Sequence, residues 1–128
     1  MSLDIQIKKP LDPARQDTVT VELHGSLDTA TSPELERGLG PPLDGGLRQL
    51  VFDLAGLKFV SSAGLRVFGV ARRRLREAGG RVCFVHMQPQ IEEVFEIIKA
   101  LPGLDVFRNN AELDDYLAAR QLRDTDED

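Results

Sequence analysis

Two adjacent hydroxyls, Ser61 and Ser62, stand between an apolar run ending in Phe59-Val60 and a helical pattern beginning at Ala63-Gly64-Leu65. A serine at a helix start sits beside unpaired backbone N–H groups and the positive end of the helix dipole, which suits a phosphate. Two kinds of chemistry are open there. One is capping of the helix, worth ~1 kcal/mol. The other is acceptance of a phosphoryl group that acts as a switch.

The remaining reactive residues do not converge on a catalytic site. His24 and His86 each close a strand pattern and have no His, Cys or paired carboxylate at ligand spacing, so both read as structural. Cys83, between Val82 and Phe84, reads as a small buried thiol. As the single cysteine, it also excludes an internal disulfide and a cysteine-rich zinc site. The serine pair lacks the flanking glycine of a Gly-x-Ser-x-Gly elbow. The glycine-rich stretch 40–46 lacks the Gly-Lys-Ser/Thr ending of a phosphate-binding loop. Asp53, near the end of a central strand, resembles the phosphoryl acceptor of a receiver domain. That site also needs an acidic pair after the first strand and a lysine late in the sheet, whereas here the strands end in Lys8-Lys9-Pro10 and His86-Met87. The chain is therefore expected to be no enzyme, with no metal and no cofactor.

The elements that must position the serines follow from periodicity. Residues 3–8 and 18–24 alternate apolar and polar, predicting two strands that pair antiparallel, with Gly25 ending the second. Thr31 and Glu34 stand at capping-box spacing with Pro33 in the first turn. The helix they open carries Leu35 and Leu39 and stops in the loop GPPLDGG. Residues 49–54 read as a buried strand, followed by a turn at Ala55-Gly56 and then LKFV and the serines. A helix over about 62–77 faces Leu65, Phe68, Ala71 and Leu75 inward and ends at Gly79-Gly80. A strand at 81–86 and an amphipathic helix at 90–100, with Ile91, Val94, Phe95 and Ile98 inward, follow. A short edge strand at 105–107 and a helix capped by Asn109, with Leu113, Tyr116 and Leu117 inward, complete the pattern. After the opening pair the order is βαβαβα, which predicts an α/β fold with a mainly parallel sheet.

At 128 residues, 41% hydrophobic and 29% charged, the chain fits one domain over 1–122, followed by an acidic tail at 123–128 expected to be disordered. The net charge of −5 argues against a general nucleic-acid binder. The arginine run at 72–76 reads as a solvated helix face, because cations near a helix C-terminus suit its dipole. No apolar run approaches ~18 residues and the N-terminus lacks a signal peptide's apolar core, so membrane insertion is not expected and the cytoplasm is.

Three landmarks resemble the STAS domain family, the bacterial anti-sigma factor antagonists. They are Gly25-Ser26-Leu27-Asp28 before the helix around Pro33-Glu34-Leu35, the segment VFDLAGLKFVSSAGLRVF, and Gly79-Gly80 leading into an apolar strand. The likeness covers roughly residues 3–120. It implies a mixed β-sheet with helices packed on one side. It also implies a partner, an anti-sigma factor with serine kinase activity, that binds the unmodified protein and releases it when a serine at the helix start is phosphorylated. The family's frequent motif there is Asp-Ser-Ser/Thr-Gly. Here Ser61 replaces the aspartate, Ser62 matches the first hydroxyl residue and Ala63 replaces the second. An acceptor next to Gly64 is therefore lacking, and the resemblance implies Ser62 as the acceptor, with Ser61 the alternative. The implied partner-binding residues are Asp28, Ser61, Ser62, Ala63 and Gly64. Asp28 has a second reading as an Asx-turn before the helix. The alternative function within the family is regulation of a transporter or signalling complex without phosphorylation. The oligomeric state stays open between monomer and weak dimer.

Overall fold

Alternation in the first two runs produces the opening pair. β1 (Leu3–Lys8) and β2 (Thr18–Leu27) run antiparallel, with Leu3 opposite Gly25 and Lys8 opposite Thr20. Val19, Val21 and Leu23 are buried on one face of β2, while Glu22 and His24 lie on the other. β3 (Gln49–Val60) pairs parallel with β2, and β4 (Arg81–Val85) pairs parallel with β3, giving the sheet order β1-β2-β3-β4. The crossovers are α1 (Ser32–Asp44) and α2 (Ser62–Glu77), and α3 (Pro89–Ala100) follows β4. The computed structural model describes residues 2–9, 17–100, 118, 119 and 121, and for 97–100 the backbone alone. The expected edge strand at 105–107, the inward residues Leu113, Tyr116 and Leu117, the side chain of Ile98 and the acidic tail lie outside the described residues. Residues 118, 119 and 121 are helical.

All three helices feed one core. Leu35 and Leu39 of α1, Phe68, Ala71 and Leu75 of α2, and Ile91 and Val94 of α3 meet Leu50, Phe52 and Leu54 of β3. Each fully buried Leu, Ile or Phe contributes about 1.5–3 kcal/mol against its exposed state. Phe52, Phe68, Phe84 and Phe95 form an aromatic cluster, with Phe52 and Phe68 at 4.8 Å between centroids and Phe84 and Phe95 at 5.1 Å. This cluster ties α2 and α3 to the centre of the sheet.

Several local expectations are corrected. Gly25 does not end β2, which runs on to Leu27. Its φ of +113° and the approach of the Ser2 carbonyl, 2.3 Å from where a Cβ would stand, require glycine inside the strand. Ala55-Gly56 is not a turn. β3 is continuous through it and carries one extra residue against Glu22–His24 and another against Gly25–Ser26. The GPPLDGG stretch is not all loop, because α1 passes through Pro41 and Pro42 to Asp44. Those prolines remove two helical N–H donors, and burial of Leu39 with packing of Leu43 against the core offsets the loss. The capping box at Thr31 and Glu34 does not form: Thr31 makes no side-chain cap, since its hydroxyl is engaged by Ser26 and Asp28. Cys83 is half-buried, with Gln49 Nε2 at 3.6 Å from its sulfur.

The end of α2 follows the expected pattern. The Gly79 N–H donates to Arg76 O and the Gly80 N–H to Leu75 O, the two bonds of a Schellman motif.

Candidate functional site

The serine turn is built where β2 and β3 end side by side. Leu27 lies opposite Val60, and one residue further the Ser61 N–H donates to the Leu27 carbonyl at 2.9 Å. Ser61 is still extended, at φ −101° and ψ 176°, and its Oγ accepts the Gly64 N–H at 3.4 Å. It is the N-cap of α2, and Ser62 is the first helical residue. Leu65 N–H then donates to Ser61 O at 3.0 Å, closing the first helical bond. No acidic residue occupies the first turn of α2, so the helix itself places no like charge beside an added anion. Both serines are nearly covered, Ser61 at 5% exposure and Ser62 at 8%.

Gly64 explains how the helix start fits so closely. A Cβ on it would lie 2.7 Å from Leu27 Cγ and 3.0 Å from Val60 Cγ2, both buried side chains. The first turn of α2 thus packs directly on the ends of β2 and β3. Ala63, half-buried beside it, supplies no polar group.

Asp28 stands immediately after Leu27, next to this turn, and has a structural task. Its Oδ1 accepts the N–H groups of Ala30 and Thr31, each at 3.0 Å, and its own N–H donates to Thr31 Oγ1 at 2.9 Å. The Thr31 hydroxyl donates to Ser26 O at 2.8 Å and that of Ser32 to Asp28 O at 2.6 Å. This is the Asx-turn reading of Asp28, which organises the start of α1 beside the serines.

On the other side of the serine turn stands Gln121. Its Oε1 accepts the Val60 N–H and its Nε2 donates to Val60 O, both at 2.9 Å, and it is 2% exposed. Sequence reasoning missed it, because no local pattern connects residues 61 positions apart.

The other polar residues singled out lie on β2, on β3 and just after β4. Asp53 Oδ1 accepts the Ala55 N–H at 3.1 Å and lies 3.1 Å from His86 Nδ1. His24 Nε2 is 3.7 Å from Glu22. Burial opposes ionisation of Asp53, but the Ala55 N–H, the His86 hydrogen bond and the charges of His86 and His24 outweigh it and hold the carboxyl below its ordinary pKa. Among the described residues, no group of three His, Cys, Asp or Glu side chains is arranged to hold a metal ion, and no helix is long and apolar enough to cross a membrane.

Residues 9–113 match the family model of the STAS domain. A relative from Bordetella bronchiseptica, which carries the name anti-sigma factor antagonist BtrV, is 39% identical over 75 residues. That match spans 59% of this chain and 65% of the relative's length. The solved anti-sigma factor antagonist SpoIIAA in its unphosphorylated form superposes with a TM-score of 0.62 at 20% identity, over 73% of this chain and 83% of that one. Its phosphorylated form, described as a Bacillus cell fate determinant, gives 0.60 at 20% identity over 73% and 82%. At that identity both likenesses establish the fold, a mixed sheet opened by an antiparallel pair.

Proposed function

Because the chain belongs to the STAS domain family, we propose that it is an anti-sigma factor antagonist, working by contact rather than catalysis and switched off by a phosphate on Ser62. The observation that carries this reading is the first turn of α2. There the Ser61 hydroxyl caps the helix and Ser62 opens it, at the joined ends of β2 and β3 and beside the Asp28 turn. Ser62 stands at the first hydroxyl position of the family's motif, which favours it over Ser61 as the acceptor. The name borne by the Bordetella relative supports the same reading. The partner is an anti-sigma factor with serine kinase activity, and its contact surface on this chain includes Asp28, Ser61, Ser62, Ala63 and Gly64. The domain spans 1–122 and acts in the cytoplasm, regulating sigma-dependent transcription without touching nucleic acid.

The switch needs no rearrangement of the fold. A phosphoserine brings about −1.5 to −2 charges and three acceptor oxygens. The N-terminus of α2 stabilises that charge by ~0.3–1 kcal/mol. A partner surface fitted to a neutral hydroxyl then faces a bulky dianion. One partner carboxylate within ~4 Å costs about 4 kcal/mol near a surface, and each ~1.4 kcal/mol is tenfold in affinity. Ser62 is 8% exposed, so phosphoryl transfer to it proceeds through local opening of the helix end, which costs less than global unfolding.

Incubation with the anti-sigma factor kinase of the same genome and ATP tests the assignment. The expected product carries one phosphate on Ser62, and Ser62→Ala keeps partner binding while resisting release. An unmodified Ser62, together with unchanged binding in Ser62→Asp, would sink the switch and favour a STAS module that regulates a transporter or signalling complex by contact alone.

A further inference from the structure

The pairing of β4 with β3 ends at Asp53–Val85, yet β3 runs seven residues further, to Val60. Along that stretch two glutamine side chains supply hydrogen bonds to its backbone. Gln88 Nε2 donates to Ala55 O at 2.7 Å, and the Gln121 carboxamide both accepts from and donates to Val60. The Gln121 pair is the one that bears on the serines. Val60 directly precedes the N-cap, and the next N–H, that of Ser61, is held by Leu27 O on the opposite side. The last residue of the strand is thus gripped by Gln121 while the first residue of the turn is gripped by β2.

We propose that Gln121 is the positioning residue of the serine turn. By closing the final rung of β3 it fixes where Ser61 caps α2 and where Ser62 is presented, so Gln121 and the switch respond to each other. The inference deepens the functional reading given above and rests on it for the switch, but the geometry belongs to the unmodified chain. Both Val60 polar groups and the Gln121 carboxamide are buried, and a buried polar group left unsatisfied costs more than its bond contributes. Loss of the carboxamide is therefore felt first at Val60 and Ser61. Linkage makes the coupling reciprocal: a phosphate that shifts the turn also changes the hold of Gln121 on Val60.

Amide hydrogen exchange by NMR on the full chain tests this without any kinase. Gln121→Leu keeps the bulk and loses the bonds, and it should speed exchange at the Val60 and Ser61 amides by about tenfold or more, leaving Val21 and Phe52 unchanged. Gln121→Glu keeps an acceptor for the Val60 N–H but cannot donate while ionised. It should show an intermediate loss while ionised, recovered as the pH falls and the carboxyl takes up a proton, which burial and the Val60 carbonyl favour above the ordinary glutamate range. Unchanged exchange at Val60 in Gln121→Leu, or an equal rise at every amide, would overturn the positioning role. The kinase assay then separates the two claims. If Gln121→Leu disturbs Val60 and no kinase modifies Ser62, the function is wrong and the positioning stands. If Ser62 is phosphorylated with unchanged kcat/KM in that variant, the coupling to the switch is refuted.

Discussion

Replacing Gly64 with alanine sets two opposing effects against each other at the centre of the proposed site. Alanine favours the helix over glycine by about 0.8–1 kcal/mol. The new Cβ, however, would stand 2.7 and 2.8 Å from Leu27 Cγ and Cδ2 and 3.0 Å from Val60 Cγ2. Leu27 and Val60 are both fully buried at the ends of β2 and β3, so neither side chain can swing into solvent. Overpacking of this kind costs about 1–3 kcal/mol, and the steric effect wins. Gly64→Ala should lose about 1 kcal/mol of stability net. Gly69, five residues along the same helix, has nothing within 4 Å of its missing Cβ. The same substitution there should gain up to about 1 kcal/mol. Urea denaturation reads both. With a slope of about 1–3 kcal/mol/M, the two midpoints should move in opposite directions from the parent by roughly half a molar each. Equal shifts at the two positions, or a stabilised Gly64→Ala, would show that α2 does not pack on the strand ends as described. Partner binding should fall in Gly64→Ala alone, because only that change displaces the serine turn.

Ser61→Ala should cost about 0.5–1 kcal/mol, the low end for a cap, since its bond to Gly64 is long at 3.4 Å; mass spectrometry should still find the kinase's phosphate on Ser62. The lowered pKa of Asp53 gives a sign for acid stability. A carboxylate depressed in the folded state stabilises fully above its unfolded value, ~3.9, and that contribution is lost as pH falls through the folded value. Asp53→Asn should therefore be less stable than the parent near neutral pH, with a flatter stability curve below pH ~4, as followed by thermal unfolding across that range. Arg66 is exposed and one turn beyond Ser62, an i, i+4 order with the anion nearer the N-terminus that favours pairing. With phosphoserine installed at 62, phosphorus NMR should find the second phosphate ionisation higher in Arg66→Gln than in the parent, and unchanged in Arg73→Gln.

Val19, Val21 and Leu23 announced their strand because period-two burial needs only local alternation. The serine turn was legible too, since an apolar run, two hydroxyls and a helical pattern are contiguous. The errors arose where distant chain decided the outcome. Gly25 looks like a terminator until Ser2 is seen lying against it. Pro41 and Pro42 look like breakers until Leu39 and Leu43 are seen on the core. Asp28 carried two readings of equal local merit; the N–H groups of Ala30 and Thr31 bear out the turn, which leaves its proposed partner contact standing beside it. The arginine run did prove largely solvated: Arg72, Arg73 and Arg76 are exposed, and Arg74 reaches Asp44 at the end of α1. Gln121 had no local signal at all.

A phosphate on Ser62 should abolish contact with the partner without unfolding the domain. Titration calorimetry of the anti-sigma factor kinase with the unmodified chain and with the chain carrying phosphoserine at 62 tests it most directly, with amide spectra of both forms recorded in parallel. The unmodified form should bind, the phosphorylated one should bind at least about a hundredfold more weakly, and amide shifts should be confined to the ends of β2 and β3 and the first turns of α1 and α2. Equal affinities for the two forms would contradict it.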